Sequence, residues 1–170
     1  MDKELKLKAY ISILRSKYNI PIFPEDVPCL CNECDLENMR FADLYDYGYE
    51  HIRLSIFGIN HPFHRASLIG FNTDKEQKWF LVDPTYGQFF KKNKFAEYMS
   101  YYHTGFSIEL LEEGYIECTL ENMLAYVDGF VNSGAYTKKL NNDMVTQKVK
   151  DFLIEKKIIK DNKKKSRKRK

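Results

Sequence analysis

No run of apolar residues in this chain approaches the roughly 18 to 20 that a bilayer-spanning helix requires, which excludes a helical membrane anchor. The charged start Met1-Asp-Lys-Glu-Leu-Lys-Leu-Lys8 has no apolar core of the kind that marks a secretory leader. Cysteine is scarce: there are four in 170 residues, and three of them crowd into Cys29-Leu-Cys31-Asn-Glu-Cys34. A disulfide scaffold spreads its pairs along the chain, so these thiols read as reduced. These absences predict a cytoplasmic protein, with signal-independent export or delivery to a host cell as the route left open. No internal repeat is visible, and 170 residues suit one well-buried core rather than two.

What is present divides sharply by charge. Residues 156–170 carry ten Lys or Arg against one Asp, whereas the preceding 155 residues hold 17 basic and 23 acidic side chains, so the overall +3 is a body of −6 and a tail of +9. We read residues 1–155 as a single domain and 156–170 as a basic tail that repels itself and is disordered in isolation. The tail suits nucleic acid, an anionic surface or nuclear import; the plainer reading is a solubilising terminus. The body has the wrong sign for a phosphate-binding face, which argues against a pure nucleic-acid protein.

Periodicity predicts an α+β domain. Leu7, Tyr10, Ile11, Leu14 and Tyr18 recur at helical spacing and predict a helix over 3–18. The Pro-containing stretch 19–33 predicts an irregular approach to a second helix over 35–47, with Cys34 at its N-terminal edge and Gly48 at its end. The period then shifts to that of strands at 51–57, 64–71 and 78–83, the last two joined by the polar turn 72–77. Helices are predicted again near 92–102, near 120–131 after a Thr119 cap, and over 143–156.

The chemistry resides in Cys34, His64 and Asp83. A thiol attacks an amide carbonyl as thiolate, yet a free Cys has a pKa near ~8.5 and is mostly protonated at neutral pH. The positive end of the second helix would lower that value and cradle an oxyanion. His64, as an imidazolium, would do the same and then protonate the leaving amine. Asp83 would fix the imidazole tautomer. If 64–71 and 78–83 form a hairpin, His64 and Asp83 meet across the ladder, and Pro84 ends the strand there. Alternatives stay open at two vertices. Cys31 and then Cys29 compete with Cys34 but lie in the Pro-rich approach, while His61 competes with His64 from the far side of Pro62. Cys118 reads as an ordinary buried thiol. Asn32, Tyr86 and Gln88 are candidates for oxyanion or substrate contacts, against plainer roles in a turn and in aromatic core.

This ordered pattern resembles the papain-like cysteine enzymes, and among them the transglutaminase-like branch. The resemblance covers about 55 residues, from Cys34 through Gly48-Tyr49 and a His-led strand to Trp79-Phe-Leu-Val-Asp83-Pro-Thr-Tyr-Gly-Gln88-Phe-Phe90. It implies a papain-like fold, with the Cys at a helix start packed on an antiparallel sheet that carries His and Asp. It also implies thiol-dependent acyl transfer on a protein or peptide amide, as peptidase, deamidase or transglutaminase, with no cofactor. Two other readings compete. One is a structural zinc site at Cys29, Cys31 and Cys34 completed by Cys118 or His51, for which the usual second pair of ligands is missing. The other is a non-catalytic binding module on the same fold.

Overall fold

A computed structural model of the chain describes residues 2–21, 27–44, 48–56, 64–89, 108–123, 126, 151 and 154–155. Helix α1 (Lys3–Lys17) starts where the Asp2 carboxylate accepts the Glu4 backbone N–H at 2.7 Å, a capping arrangement that satisfies an otherwise orphan donor. Leu7, Ile11 and Leu14 form its buried stripe. It ends within one residue of the predicted boundary, and Asn19 follows in the left-handed region at φ 53°.

Helix α2 (Cys31–Leu44) corrects the prediction. It begins at Cys31, four residues before the expected start at Asp35. Pro28 obstructs a helix further upstream, and the first intrahelical bond runs from the Cys34 N–H to the Leu30 carbonyl at 2.9 Å. An acidic residue at Asp35 resembles a first-turn acid that complements the helix dipole. It is instead fully buried one turn inside, against the sheet.

Among the described residues, four strands form an antiparallel meander in chain order: β1 (Tyr49–Ile56), β2 (His64–Asn72), β3 (Gln77–Val82) and β4 (Tyr115–Glu117). The predicted hairpin is present, with Ser67 opposite Val82 and Asn72 opposite Gln77. Its turn closes on Thr73, whose N–H donates to the Glu76 carbonyl at 2.7 Å and whose hydroxyl accepts the Glu76 N–H at 3.1 Å. β4 pairs with β3, Ile116 lying opposite Leu81. It follows a short helix, α3 (Ile108–Glu113), through Gly114 at φ 80°. Neither α3 nor β4 was expected, since six and three residues carry too little periodicity to register.

One face of the sheet packs on both long helices. Leu7, Ile11, Phe41 and Ala42 meet Tyr49, Ile69, Phe71, Phe80 and Val82 in one apolar cluster, and the Tyr10 and Phe41 rings stack at 4.2 Å. On the opposite face Trp79 covers Gly70, its registered partner. A Cβ built at Gly70 would lie 2.3 Å from the indole. Gly70→Ala is therefore expected to destabilise the domain by about 1–3 kcal/mol through overpacking, read by urea denaturation with Trp79 fluorescence as the probe.

The chain is thus α+β with a four-stranded antiparallel sheet. Residues 120–123 and 126 are helical, and the Thr119 hydroxyl accepts the Asn122 N–H at 3.1 Å as the predicted cap requires. Residues 151, 154 and 155 are also helical. The predicted helix at 92–102, the remainder of the helices at 120–131 and 143–156, His61 and the 156–170 tail lie outside the described residues.

Candidate active site

The hairpin brings His64 and Asp83 together. Ser67 faces Val82, so His64, three residues before Ser67, and Asp83, one beyond Val82, stand diagonally across the ladder, a gap a long side chain spans. The His64 Nε2–H donates to Asp83 Oδ2 at 2.8 Å, and each residue is 1% exposed. Burial disfavours a charged imidazole, but the Asp83 charge and hydrogen bond override it and, with Cys31, push His64 up to about 10. His64 is therefore an imidazolium at neutral pH.

Asp83 is held from three directions. Its backbone N–H donates to the Gly114 carbonyl at 2.9 Å, and its carbonyl accepts the Tyr86 N–H at 3.1 Å. The buried Tyr126 hydroxyl donates to Oδ2 at 2.5 Å. Tyr126 is a site residue that the sequence did not reveal. It lies 43 residues beyond Asp83, and its only sequence signal is an apolar position in the helix after Thr119.

The thiol beside His64 belongs to Cys31. Half-burial opposes its ionisation, as does the nearby Asp83 carboxylate, yet the His64 side chain and the Arg65 backbone N–H favour the thiolate and hold Cys31 below the usual thiol range.

Cys34, expected as the nucleophile, has a different setting. It is 2% exposed and packs with Leu14, Ile20 and Val27. Burial, together with the Asp83 charge, pushes its thiol well up. With α2 starting at Cys31, that residue lies in the first turn, and Cys34, three residues on, is one of the helix's buried residues. Cys29 is exposed and its thiol is raised by burial of its sulfur and by Cys31. Cys118 is buried, as expected, and raised to about 12 by that burial.

The remaining candidates separate in the same way. Asn32 is exposed in the first turn beside Cys31, where the N–H groups precede the first intrahelical bond. Tyr86 and Gln88, candidates for substrate contacts, are interior, in line with the plainer core reading. Tyr86 is fully buried with its ring centroid 5.9 Å from that of Tyr126, and Gln88 Nε2 donates to the Thr85 hydroxyl at 2.9 Å. They brace the turn that carries Asp83. No trio of His, Cys, Asp or Glu among the described residues has metal-binding geometry, and Cys34 packs with Leu14, Ile20 and Val27. A groove of about 990 Å³ runs between α1 and the end of α3, past Arg15 and Glu113, and includes none of Cys31, His64 and Asp83.

No family model, curated protein or solved structure matches the chain. The site's meaning therefore rests on its own geometry. A half-buried Cys31 thiol lies beside the His64 imidazole, which is hydrogen-bonded through Nε2 to the buried Asp83 carboxylate. No helix among the described residues is long and apolar enough to cross a membrane.

Proposed function

We propose that the protein is a thiol-dependent acyl-transfer enzyme acting on amides, with Cys31 as nucleophile, His64 as acid and base, and Asp83 as the group that orients His64. The observation that carries this reading is the buried hydrogen bond between His64 and Asp83, with the Cys31 thiol beside that imidazole and held below its usual range by it. That is the nucleophile, base and orienter relation required for covalent catalysis. The order Cys, His, Asp, with the Cys on a helix and the other two on a hairpin, supports a transglutaminase-like variant of the papain-like fold and a protein or peptide substrate.

The chemistry follows from the pair's charge state. The Cys31 thiolate attacks the amide carbonyl carbon, and the electrons of the C=O bond move to oxygen. First-turn N–H groups of α2 face that oxyanion, with the Asn32 amide a further donor beside them. The His64 imidazolium then gives its proton to the amine nitrogen as the C–N bond breaks, leaving a thioester and a neutral imidazole. Water or a second amine, deprotonated by His64, attacks the thioester, and Cys31 leaves as thiolate beside the restored imidazolium.

Site-resolved alkylation tests this directly. Burial raises the thiols of Cys29, Cys34 and Cys118, so the informative comparison is with free cysteine in solution. Iodoacetamide at pH 6, followed by peptide mass mapping, is expected to label Cys31 at least about tenfold faster than that reference. Equal rates at Cys31 and free cysteine would remove the activated thiol and the proposed function with it.

A further inference from the structure

A second buried polar cluster lies one helical turn from the site. Asp35, four residues after Cys31 on α2, is 1% exposed. Its Oδ1 accepts the Ser67 hydroxyl at 2.8 Å and lies 3.1 Å from His51 Nε2. Its Oδ2 accepts the Arg53 Nε–H. Asn38, one turn further along the same stripe, donates through Nδ2 to the Ser67 oxygen at 2.9 Å and accepts the Tyr10 hydroxyl at 2.6 Å. A carboxylate is buried without compensation only at great cost. Here burial opposes ionisation, but the bonds from His51, Ser67 and Arg53 outweigh it and hold Asp35 below the usual carboxylate range.

The placement of this cluster is informative. Ser67 lies three residues after His64 on β2, and Arg53 is its registered neighbour on β1. The cluster therefore joins the same two elements that supply the thiol and the imidazole, each within about one turn of its reactive residue. The far end of α2 meets the sheet through Phe41 and Ala42. Apolar contact is non-directional and tolerates sliding, whereas charge-assisted hydrogen bonds fix register. A displacement of about 1 Å between reacting groups is enough to cost on the order of a hundredfold in rate.

Resting on the assignment of Cys31 as nucleophile, we infer that Asp35 and Ser67 are positioning residues that lock α2 onto β2 in the register that sets the Cys31 sulfur against His64. They do not touch substrate. They act through the distance between two other side chains.

The test is the pH profile of Cys31 alkylation by iodoacetamide in the full chain, measured in Asp35→Asn and Ser67→Ala beside wild type. Gly70→Ala is the control, since it strains the opposite face of the sheet and leaves the cluster intact. Asp35→Asn is expected to raise the apparent thiolate pKa of Cys31 by about one unit or more and to slow labelling at pH 6 by about tenfold. Ser67→Ala is expected to produce a smaller shift of the same sign. Gly70→Ala is expected to lower the melting temperature without moving the profile. Should Asp35→Asn fail to fold, Ser67→Ala, which keeps the Asp35, Arg53 and His51 contacts, decides alone. A wild-type profile in a folded Asp35→Asn or Ser67→Ala protein, or an equal shift in Gly70→Ala, would overturn the inference. A wild-type Cys31 that reacts no faster than free cysteine would instead overturn the assignment on which it rests.

Discussion

His64→Gln is expected to slow alkylation of Cys31 at pH 6 by on the order of tenfold to a hundredfold and to abolish amide turnover. The ceiling comes from thiol ionisation. An unassisted thiol with a pKa near ~8.5 is thiolate in only about one molecule in 300 at pH 6, so restoring that state removes most of the reactive species. The floor comes from nucleophilicity, because a more basic thiolate attacks faster and returns part of the loss. Gln is close to His in reach and can still donate to Asp83, so the fold should tolerate it. The loss should shrink steadily as pH rises toward 9, where any thiol ionises. A uniform loss at all pH values would mean that His64 shapes the site without setting the charge on sulfur.

Asp83→Ala is expected to destabilise the domain by about 3–5 kcal/mol, on the order of 10 °C in melting temperature, because it strips a buried imidazolium of its counter-charge. His64 and the Tyr126 hydroxyl both bond to Oδ2 and would lose that partner together. The pH dependence follows from linkage. The folded-state pKa of His64, about 10, lies above its ordinary 6.5. Its contribution is therefore fully present below pH 6.5 and is lost as pH rises through about 10. Cys31 acts with the opposite sign, because a depressed folded pKa adds stability above the ordinary thiol range that is lost as pH falls through the folded value. Wild-type melting temperature should fall across pH 6.5 to 10 more steeply than that of Asp83→Ala. Differential scanning calorimetry of both proteins across that window measures the difference, and parallel curves would mean that the pair is not ionised in the folded state.

The hairpin that presents His64 and Asp83 was legible because its cues are local. Ala66 to Phe71 and Trp79 to Val82 are continuous β-like runs, and Thr73 to Glu76 is a polar turn that closes on its own side chain and backbone. The thiol beside His64 was less legible, because three thiols lie within six residues and the choice hangs on where one helix begins. Two effects at that boundary oppose each other. Acidic residues at Asp35 and Glu37 resemble a first helical turn, whereas Asp35 is in fact neutralised by Arg53 and His51 from a strand further along the chain. A charge whose partner lies some 16 residues away in sequence has no local signature, so local cues put the helix start one turn late and point to Cys34, whereas the thiol beside His64 is Cys31. Tyr126, Gly114 and β4 were invisible for the same reason, since their roles depend on contacts with Asp83 and β3 across 30 residues or more.

Gly114 brings several of these contacts to one point. Its N–H closes α3 on the Leu110 carbonyl, its own carbonyl holds the Asp83 N–H, and its missing side chain leaves room for Ile11. Proteins emerge from the ribosome N-terminus first, and Cys31, His64 and Asp83 all emerge before Gly114 does. A nascent chain that has extended only to residue 90 carries Cys31, His64 and Asp83 without the Gly114 carbonyl and the Tyr126 hydroxyl that hold Asp83. The full set of bonds on Asp83 is thus completed only after β4 and Tyr126 have been made.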